Sequence, residues 1–187
     1  MITREKIHLK KIADILSGIY GKTDPDGEIA YLQTKDCGTD RVIVKYASRI
    51  LHTPNMQKNM LQQGDILFAA RGVNYLSVVF REKEKAVAST SFFVIRLKSS
   101  AVTPEYLCWF LRQPSVMAYF RSNQAGSAIQ LIHKPAVENL EVPIPSLEEQ
   151  NIIVKIACLS QREKELQQAI IERKQNILKQ LLMNKIK

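Results

Sequence analysis

Histidine and cysteine often carry catalysis or bind metals, and this chain of 187 residues has three of each. The histidines lie far apart, and none has further ligands at the spacing of a zinc site. They are His8, His52 and His133. The cysteines form no C-x-x-C pair, and their odd number does not fit a disulfide framework. They are Cys37, Cys108 and Cys158. We therefore predict reduced thiols and no metal site.

The glycines and prolines exclude several common cofactor and methyl-transfer motifs. No two glycines are one residue apart, so no G-x-G phosphate loop exists, and the P-loop signature is missing too. An adenine methyltransferase motif needs consecutive prolines, which this sequence lacks. Pro25, Asp26 and Gly27 together are typical of a turn. We predict a non-catalytic binding protein that holds no cofactor itself.

The charge indicates a polyanionic partner. The chain has a net charge of +9, and residues 148–187 account for only eight basic against five acidic side chains. Residues 1–147 therefore carry 19 basic against 13 acidic side chains, and basic domains of this kind attract nucleic acid. No apolar run is long enough to span a membrane, and the N-terminus lacks an apolar signal region, which predicts a cytoplasmic protein.

Two polar segments and several scattered basic residues are the candidates for contact with nucleic acid. Arginine, asparagine and glutamine can read base edges, whereas lysine and arginine bind phosphates. The candidates are Lys22, Lys35, Arg41, Lys45, Arg49, Arg71, Asn74, Tyr75, Arg121, Asn123, Gln124, Ser127, Gln130 and Lys134. The alternatives are a solvated β-turn at 71–75, an ordinary connecting loop at 121–134, and simple solvation for the separate lysines and arginines.

These side chains need a scaffold. The pattern of apolar and polar residues predicts that residues 1–145 form an α+β domain made mostly of strands. The clearest strand lies in GDILFAARG (64–72), a buried run between two turn signals. VASTSFFVIRL (87–97) is read as one strand. Residues 104–123 are helical and divided by Pro114, and a polar loop from Gln124 leads to a proline connector.

The connector VPIPSLEEQ predicts a sharp boundary and a new helix over 146–187. Pro143 and Pro145 favour extended backbone, and Ser146 with Glu149 forms the S-x-x-E capping box. Neither proline nor glycine follows, so the helix can continue for about 60 Å.

The long helix carries a stripe of apolar residues at a and d spacing that favours pairing with another chain. The predicted dimerisation residues are Ile152, Ile156, Leu159, Leu166, Ile170 and Ile177. The alternative is a terminal helix that packs on its own domain, but this length exceeds the radius of a domain of 145 residues.

Several segments, in fixed order, resemble the specificity subunit of type I restriction-modification systems. They are KKIADILSGIYGK, GDILFAARG, ASTSFFVIRL, PEYLCWFL, AGSAIQLIHK and LEVPIPSLEEQNIIVKI. The last of these (140–156) is similar to the family's junction between a target recognition domain and its spacer helix. Together the segments span nearly the whole chain.

The resemblance implies a non-catalytic subunit that binds double-stranded DNA and positions modification subunits, with a restriction subunit as a further possible partner. S-adenosylmethionine is expected on the modification subunit. A full family member has two recognition domains and two spacer helices, whereas this chain resembles one half. The resemblance therefore implies a homodimer in which the long helices pack antiparallel as a coiled coil, and each copy reads one half of a bipartite target.

Two alternatives stay open at this point. The chain can be a piece of a longer subunit, or it can be an adaptor that assembles through its C-terminal helix and binds nucleic acid without sequence preference.

Overall fold

The computed structural model describes residues 6–38, 40–70, 76–123 and 131–186. The chain divides into two compact units, Met1–Gln150 and Asn151–Lys187. The first unit holds the described strands and the shorter helices, and the second consists of most of the C-terminal helix.

Short strands and helices alternate along the first unit. The strands described are β1 (Lys6–His8), β2 (Ala13–Ser17), β3 (Ile29–Leu32), β4 (Ser48–Ile50), β5 (Ile66–Ala69), β6 (Ser77–Val79), β7 (Ala86–Ala88), β8 (Phe92–Leu97) and β9 (Glu141–Pro143). The α-helices described are α1 (Leu9–Ile12), α2 (Pro104–Leu111), α3 (Pro114–Ser122), α4 (Lys134–Glu138) and α5 (Leu147–Ile186).

The strands form three sheets. A four-stranded antiparallel sheet has the order β2-β8-β5-β6, and a three-stranded sheet has the order β4-β3-β7, in which β3 and β7 are parallel. β1 and β9 form a separate antiparallel pair, with Ile7 opposite Val142. The start of the unit is thereby tied to the segment that leads into α5.

The main core lies between the two larger sheets. Leu67 and Ala69 of β5 belong to the same buried cluster as Leu32 of β3. The opposite face of β5 is covered by a helix, since the ring centroids of Phe68 and Phe120 are 5.2 Å apart. Because both faces of β5 are buried, its sequence is a continuous apolar run and not an alternating one.

The predicted α+β class, mostly strands followed by a long C-terminal helix, is confirmed. Two local predictions are wrong. VASTSFFVIRL is not one strand, because a turn closed by a hydrogen bond from the Phe92 amide to the Ser89 carbonyl sends β7 and β8 into different sheets. The predicted loop contains α4 and β9, since Pro135 fits the first turn of a helix and β1 supplies a partner for β9.

The predicted capping box at the start of α5 is confirmed. The Ser146 hydroxyl accepts a hydrogen bond from the Glu149 amide at 3.3 Å, and the Glu149 carboxylate accepts one from the Ser146 amide at 3.0 Å. These bonds satisfy backbone groups that the first turn of a helix otherwise leaves free. The helix then runs for 40 residues without interruption.

The apolar side chains of α5 are exposed. The six predicted dimerisation residues, Ile152, Ile156, Leu159, Leu166, Ile170 and Ile177, are 49% to 71% exposed. So much apolar surface on one helix is unusual for a monomer and is typical of an interface. No helix in the described residues is long and apolar enough to cross a membrane.

Candidate nucleic-acid interface

Five of the predicted contact residues lie on segments that surround β3 and β4. We call them the sheet group: Lys22, Lys35, Arg41, Lys45 and Arg49. Lys22 lies three residues before a turn at Pro25 and Asp26, and the Asp24 amide donates to the Arg49 carbonyl at 2.8 Å. A Cβ atom on Gly27 would lie 2.5 Å from the Ile50 nitrogen, so only glycine lets this turn pack so closely on β4.

A second segment presents three of the basic residues from a tightly bonded loop. Asp36 closes a turn in which its carboxylate accepts the Gln33 amide at 2.9 Å, while its carbonyl accepts the Ile43 amide at 2.8 Å. Lys35, Arg41 and Lys45 are exposed along this loop. These bonds hold the backbone of the loop from which the three exposed side chains extend.

The charges of the predicted contact residues are not equally available. Arg49 pairs with Glu84 at 2.6 Å, and Lys134 pairs with Glu138 at 3.6 Å on one turn of α4. Lys22 and Arg41 are exposed and form no ion pair with any described residue. They can therefore bind a phosphate without first giving up a carboxylate.

Two exposed tyrosines beside the sheet group were not predicted. Tyr46 is 77% exposed, and the Lys45 ammonium lies 5.5 Å from its ring centroid. Tyr20 is 82% exposed, although the backbone on both sides of it is held by Tyr31, whose hydroxyl donates to the Ile19 carbonyl and accepts from the Gly21 amide. Tyrosine hydroxyls bind DNA phosphates. The only sequence signal for them was their position next to Lys45 and near Lys22.

Three other predicted residues lie around α3 and α4, and we call them the helix group: Arg121, Asn123 and Lys134. Arg121 and Asn123 are exposed at the end of α3, where the Asn123 amide group donates to the Tyr119 carbonyl at 2.8 Å. The Tyr119 hydroxyl donates to the Ala136 carbonyl at 3.0 Å. This pair of bonds connects the end of α3 to α4, so the three residues come from two joined helices.

The remaining predicted residues lie outside the described part of the chain: Arg71, Asn74, Tyr75, Gln124, Ser127 and Gln130. Their flanking residues are described. The Ile132 amide donates to the Ala70 carbonyl at 2.9 Å, and the Ala69 amide donates to the Leu76 carbonyl at 2.8 Å. Ala70 and Ile132, the described residues near one end of each segment, are therefore hydrogen-bonded to each other.

Two of the cysteines are unsuited to nucleophilic chemistry. Burial, with a smaller contribution from the Asp36 carboxylate, raises the pKa of the Cys37 thiol to about 12. Burial also raises the pKa of the Cys108 thiol, although Arg112 lies close to it. Both thiols therefore stay protonated at neutral pH. Among the described residues, no group of three or more His, Cys, Asp or Glu side chains is arranged to hold a metal ion.

Comparison with known proteins identifies the family. A sequence model of the "Type I restriction modification DNA specificity domain" matches residues 5–179. This chain belongs to that family. The specificity domain is thus shown over nearly the whole sequence, as the resemblance implied. The description of this domain supports a role in DNA target recognition.

Solved structures agree with the specificity-domain fold. A chain from a study of the complex assembly and conformational transition of the type I R-M system is similar with a TM-score of 0.64 and 19% identity over 87% of this chain. The HsdS subunit from Thermoanaerobacter tengcongensis has a TM-score of 0.62 and 18% identity over 85%. The type I restriction-modification system S subunit from M. genitalium has a TM-score of 0.56 and 16% identity over 88%.

The specificity domain spans about two fifths of those chains, namely 39%, 37% and 41% of their respective lengths. At these identities, the similarity defines the fold.

Proposed function

We propose that this chain reads one half of a bipartite double-stranded DNA target and that two copies, joined through α5, read the whole target. The observation that carries the proposal is the combination of a family match over residues 5–179 with a 40-residue helix whose apolar stripe is exposed. Two identical halves related by a two-fold axis would read inverted copies of one half-site.

The chain supplies recognition and positioning in this proposal, while other subunits supply the chemistry. Modification subunits bind S-adenosylmethionine and methylate the DNA that the chain selects, and a restriction subunit can join them. The chain itself holds no cofactor and no metal. We place the assembly in the cytoplasm, because its partners act on cellular DNA.

Contacts to the target are divided between phosphates and bases. The sheet group and the two exposed tyrosines are the proposed phosphate contacts, because exposed cations and hydroxyls fix a protein on the duplex without reading sequence. The helix group, together with segments 71–75 and 124–130, carries most of the arginine, asparagine and glutamine candidates. These side chains are the proposed readers of base edges.

The test of the function is methylation mapping. The chain is co-expressed with a modification subunit from the same source, and methyladenine is mapped across the host DNA with and without the chain. A palindromic split motif that vanishes without the chain would support both recognition and the two-copy arrangement. An asymmetric motif would mean that a different half reads the second site.

The absence of any motif, in a complex shown to assemble, would favour the adaptor. The adaptor also makes a separate prediction: its affinity for DNA should depend on salt but be the same for every duplex, because phosphate contacts alone give that behaviour.

The test of the dimer is a double substitution in the apolar stripe. Replacing both Leu166 and Ile170 with Asp places charges on the stripe, and we expect the dimer to dissociate in sedimentation equilibrium. A dimer that remains intact would place the interface elsewhere on the chain.

A further inference from the structure

The stripe on α5 is interrupted by two opposite charges. Stepping alternately by four and three residues from Ile152 along the a and d positions gives ten residues: Ile152, Ile156, Leu159, Glu163, Leu166, Ile170, Arg173, Ile177, Gln180 and Asn184. Glu163 and Arg173 are the charged members, and both are exposed. A charge at such a position weakens an apolar interface unless the partner helix neutralises it.

The two charges are placed symmetrically. Glu163 lies five residues before Gln168, and Arg173 lies five residues after it. In an antiparallel pair of identical helices, the two-fold axis places residue i of one copy opposite residue j of the other, and j opposite i. If that axis passes at Gln168, Glu163 of each copy faces Arg173 of the other, which gives two ion pairs per dimer.

The same register pairs the central apolar residues. Leu166 then faces Ile170 and Leu159 faces Ile177, each twice, whereas the outer residues Ile156 and Ile152 face Gln180 and Asn184. The stripe also widens at both ends of the helix. Near the start, Ile153 and Val154 add apolar side chains beside it, and near the end Leu182 and Met183 do the same. Because the ends of an antiparallel pair meet, these wide parts lie opposite one another.

Other arrangements leave the charges unmatched. A shift of one heptad in one direction places Glu163 against Leu166 and Arg173 against Ile156. The shift in the other direction places Arg173 against Ile170. A parallel pair in register places Glu163 against Glu163 and Arg173 against Arg173. An unpaired or repelled charge in an interface is costly, so each arrangement is disfavoured relative to the centred one.

Local interactions leave both side chains available to a partner. The only bond of the Glu163 side chain within the described chain is to the Gln167 amide group at 3.2 Å. Arg162 is not a competitor, because it pairs with Glu165 at 3.4 Å. Arg173 forms no ion pair or hydrogen bond with any described residue.

From this charge complementarity, we propose that α5 binds a second copy of this chain antiparallel, in a register centred on Gln168 and fixed by reciprocal Glu163–Arg173 ion pairs. The proposal rests on the proposed two-copy function and deepens it. It assigns the self-recognition of this chain to the charges of Glu163 and Arg173. It also predicts that a family member without these charges at the same positions would not form mixed dimers with this chain.

The test is charge reversal in the full chain, measured by sedimentation equilibrium. The variants Glu163→Arg and Arg173→Glu each turn two ion pairs into two like-charge pairs, so each should raise the dimer Kd about tenfold or more at low salt. The double variant restores both pairs with reversed polarity and should return the Kd to near the wild-type value. A mixture of the two single variants should also form heterodimers.

Matched controls carry the same charge changes on the opposite side of the helix. Glu172 lies nine residues after Glu163, and Lys164 lies nine residues before Arg173, which at about 100° per residue is half a turn away. Glu172→Arg and Lys164→Glu should leave the Kd nearly unchanged. Circular dichroism of every variant checks that α5 remains helical.

The outcomes separate this proposal from the proposed function. If the wild-type chain is a dimer but the single reversals leave its Kd unchanged, the register is wrong and the dimer stands. If the wild-type chain is a monomer that pairs only with a modification subunit, self-association itself is wrong. Methylation mapping tests DNA recognition independently of both results.

Discussion

The side-chain oxygen of Gln150 accepts a hydrogen bond from the Thr103 amide at 2.9 Å, which ties the first turn of α5 to the start of α2. The side-chain amide of Gln150 also donates to the carbonyls of Ala101 at 2.7 Å and Pro145 at 2.9 Å. Gln150 is fully buried. All three partners are backbone groups, so these bonds to the first turn of α5 do not depend on the identity of the side chains around Gln150.

We predict that Gln150→Ala destabilises the first unit by about 3 kcal/mol, because it leaves one amide and two carbonyls without a partner in a buried place. Urea unfolding of the full chain measures this change. The matched control is Gln161→Ala, since Gln161 is exposed on the same helix and its side chain bonds, among the described residues, to Glu165 alone at 3.1 Å. A Gln150→Ala variant as stable as the control would show that water replaces the lost bonds.

A second prediction concerns the ion pair of Asp65 and Arg96. The Arg96 guanidinium donates to both oxygens of Asp65 at 2.8 Å and 2.7 Å, and to the Met60 carbonyl at 2.9 Å. Asp65 is 2% exposed, so Arg96→Leu would leave a buried carboxylate without its counter-charge. We expect a loss of about 3 to 5 kcal/mol in thermal or urea unfolding.

The control for that prediction is Arg81→Leu. Arg81 pairs with Glu105 at 3.0 Å, but both side chains are well exposed to solvent. Exposed pairs contribute less than about 1 kcal/mol. Similar losses in the two variants would mean that the Asp65 site admits solvent after substitution.

A third prediction compares two arginines of the sheet group in DNA binding. Arg41 is unpaired among the described residues, whereas Arg49 already pairs with Glu84. With a duplex that carries the mapped motif, Arg41→Gln should reduce the slope of log K against log salt by about 0.9, the value for one phosphate contact. Arg49→Gln should change the slope less. A larger effect at Arg49 would contradict this assignment.

A fourth prediction concerns base reading. In the sequence, Arg71 lies two residues after Ala69, the last residue of β5, and its guanidinium is a proposed reader of one base pair. Arg71→Ala should relax the target at one position in the methylation map or weaken binding by about 1 to 3 kcal/mol. If neither the affinity nor the motif changes, Arg71 does not contact the bases.

A fifth prediction uses the Cys37 thiol, whose pKa is about 12 in the folded chain. The unfolded thiol ionises near pH 8.5, so the folded state favours the protonated form. Its contribution to stability is complete below about pH 8.5 and is lost as the pH rises towards 12. Between pH 8 and pH 10, the wild type should therefore lose on the order of 1 kcal/mol more stability than Cys37→Ala.

The alkaline experiment has an internal control. Cys158→Ala removes a thiol that is exposed on α5, and this variant is the control for the loss of a thiol side chain. The raised pKa values of Cys108 and Tyr119 remain in both variants, so they cancel in the comparison. Equal pH dependence of Cys37→Ala and the wild type would show that the Cys37 thiol ionises normally.

Several features of this protein were determined by the sequence itself because their causes are local. Ser146 and Glu149 are three residues apart, so the cap of α5 needs no distant partner. The uninterrupted helix follows from the absence of proline and glycine after Pro145. The apolar run of β5 and the division of the helices at Pro114 are likewise readable from a few neighbouring residues.

The tertiary structure decided the features that depend on residues far apart in the chain. Residues 87–97 had the pattern of one strand, but their two halves find partners in different sheets. Tyr20 and Tyr46 had the pattern of ordinary aromatic residues, and only packing decided that their rings remain exposed. The Gln150 side chain joins the start of α5 to the segment before α2, because folding brings Thr103 and Ala101 beside it. Such contacts join positions separated by tens of residues, so no local pattern encodes them.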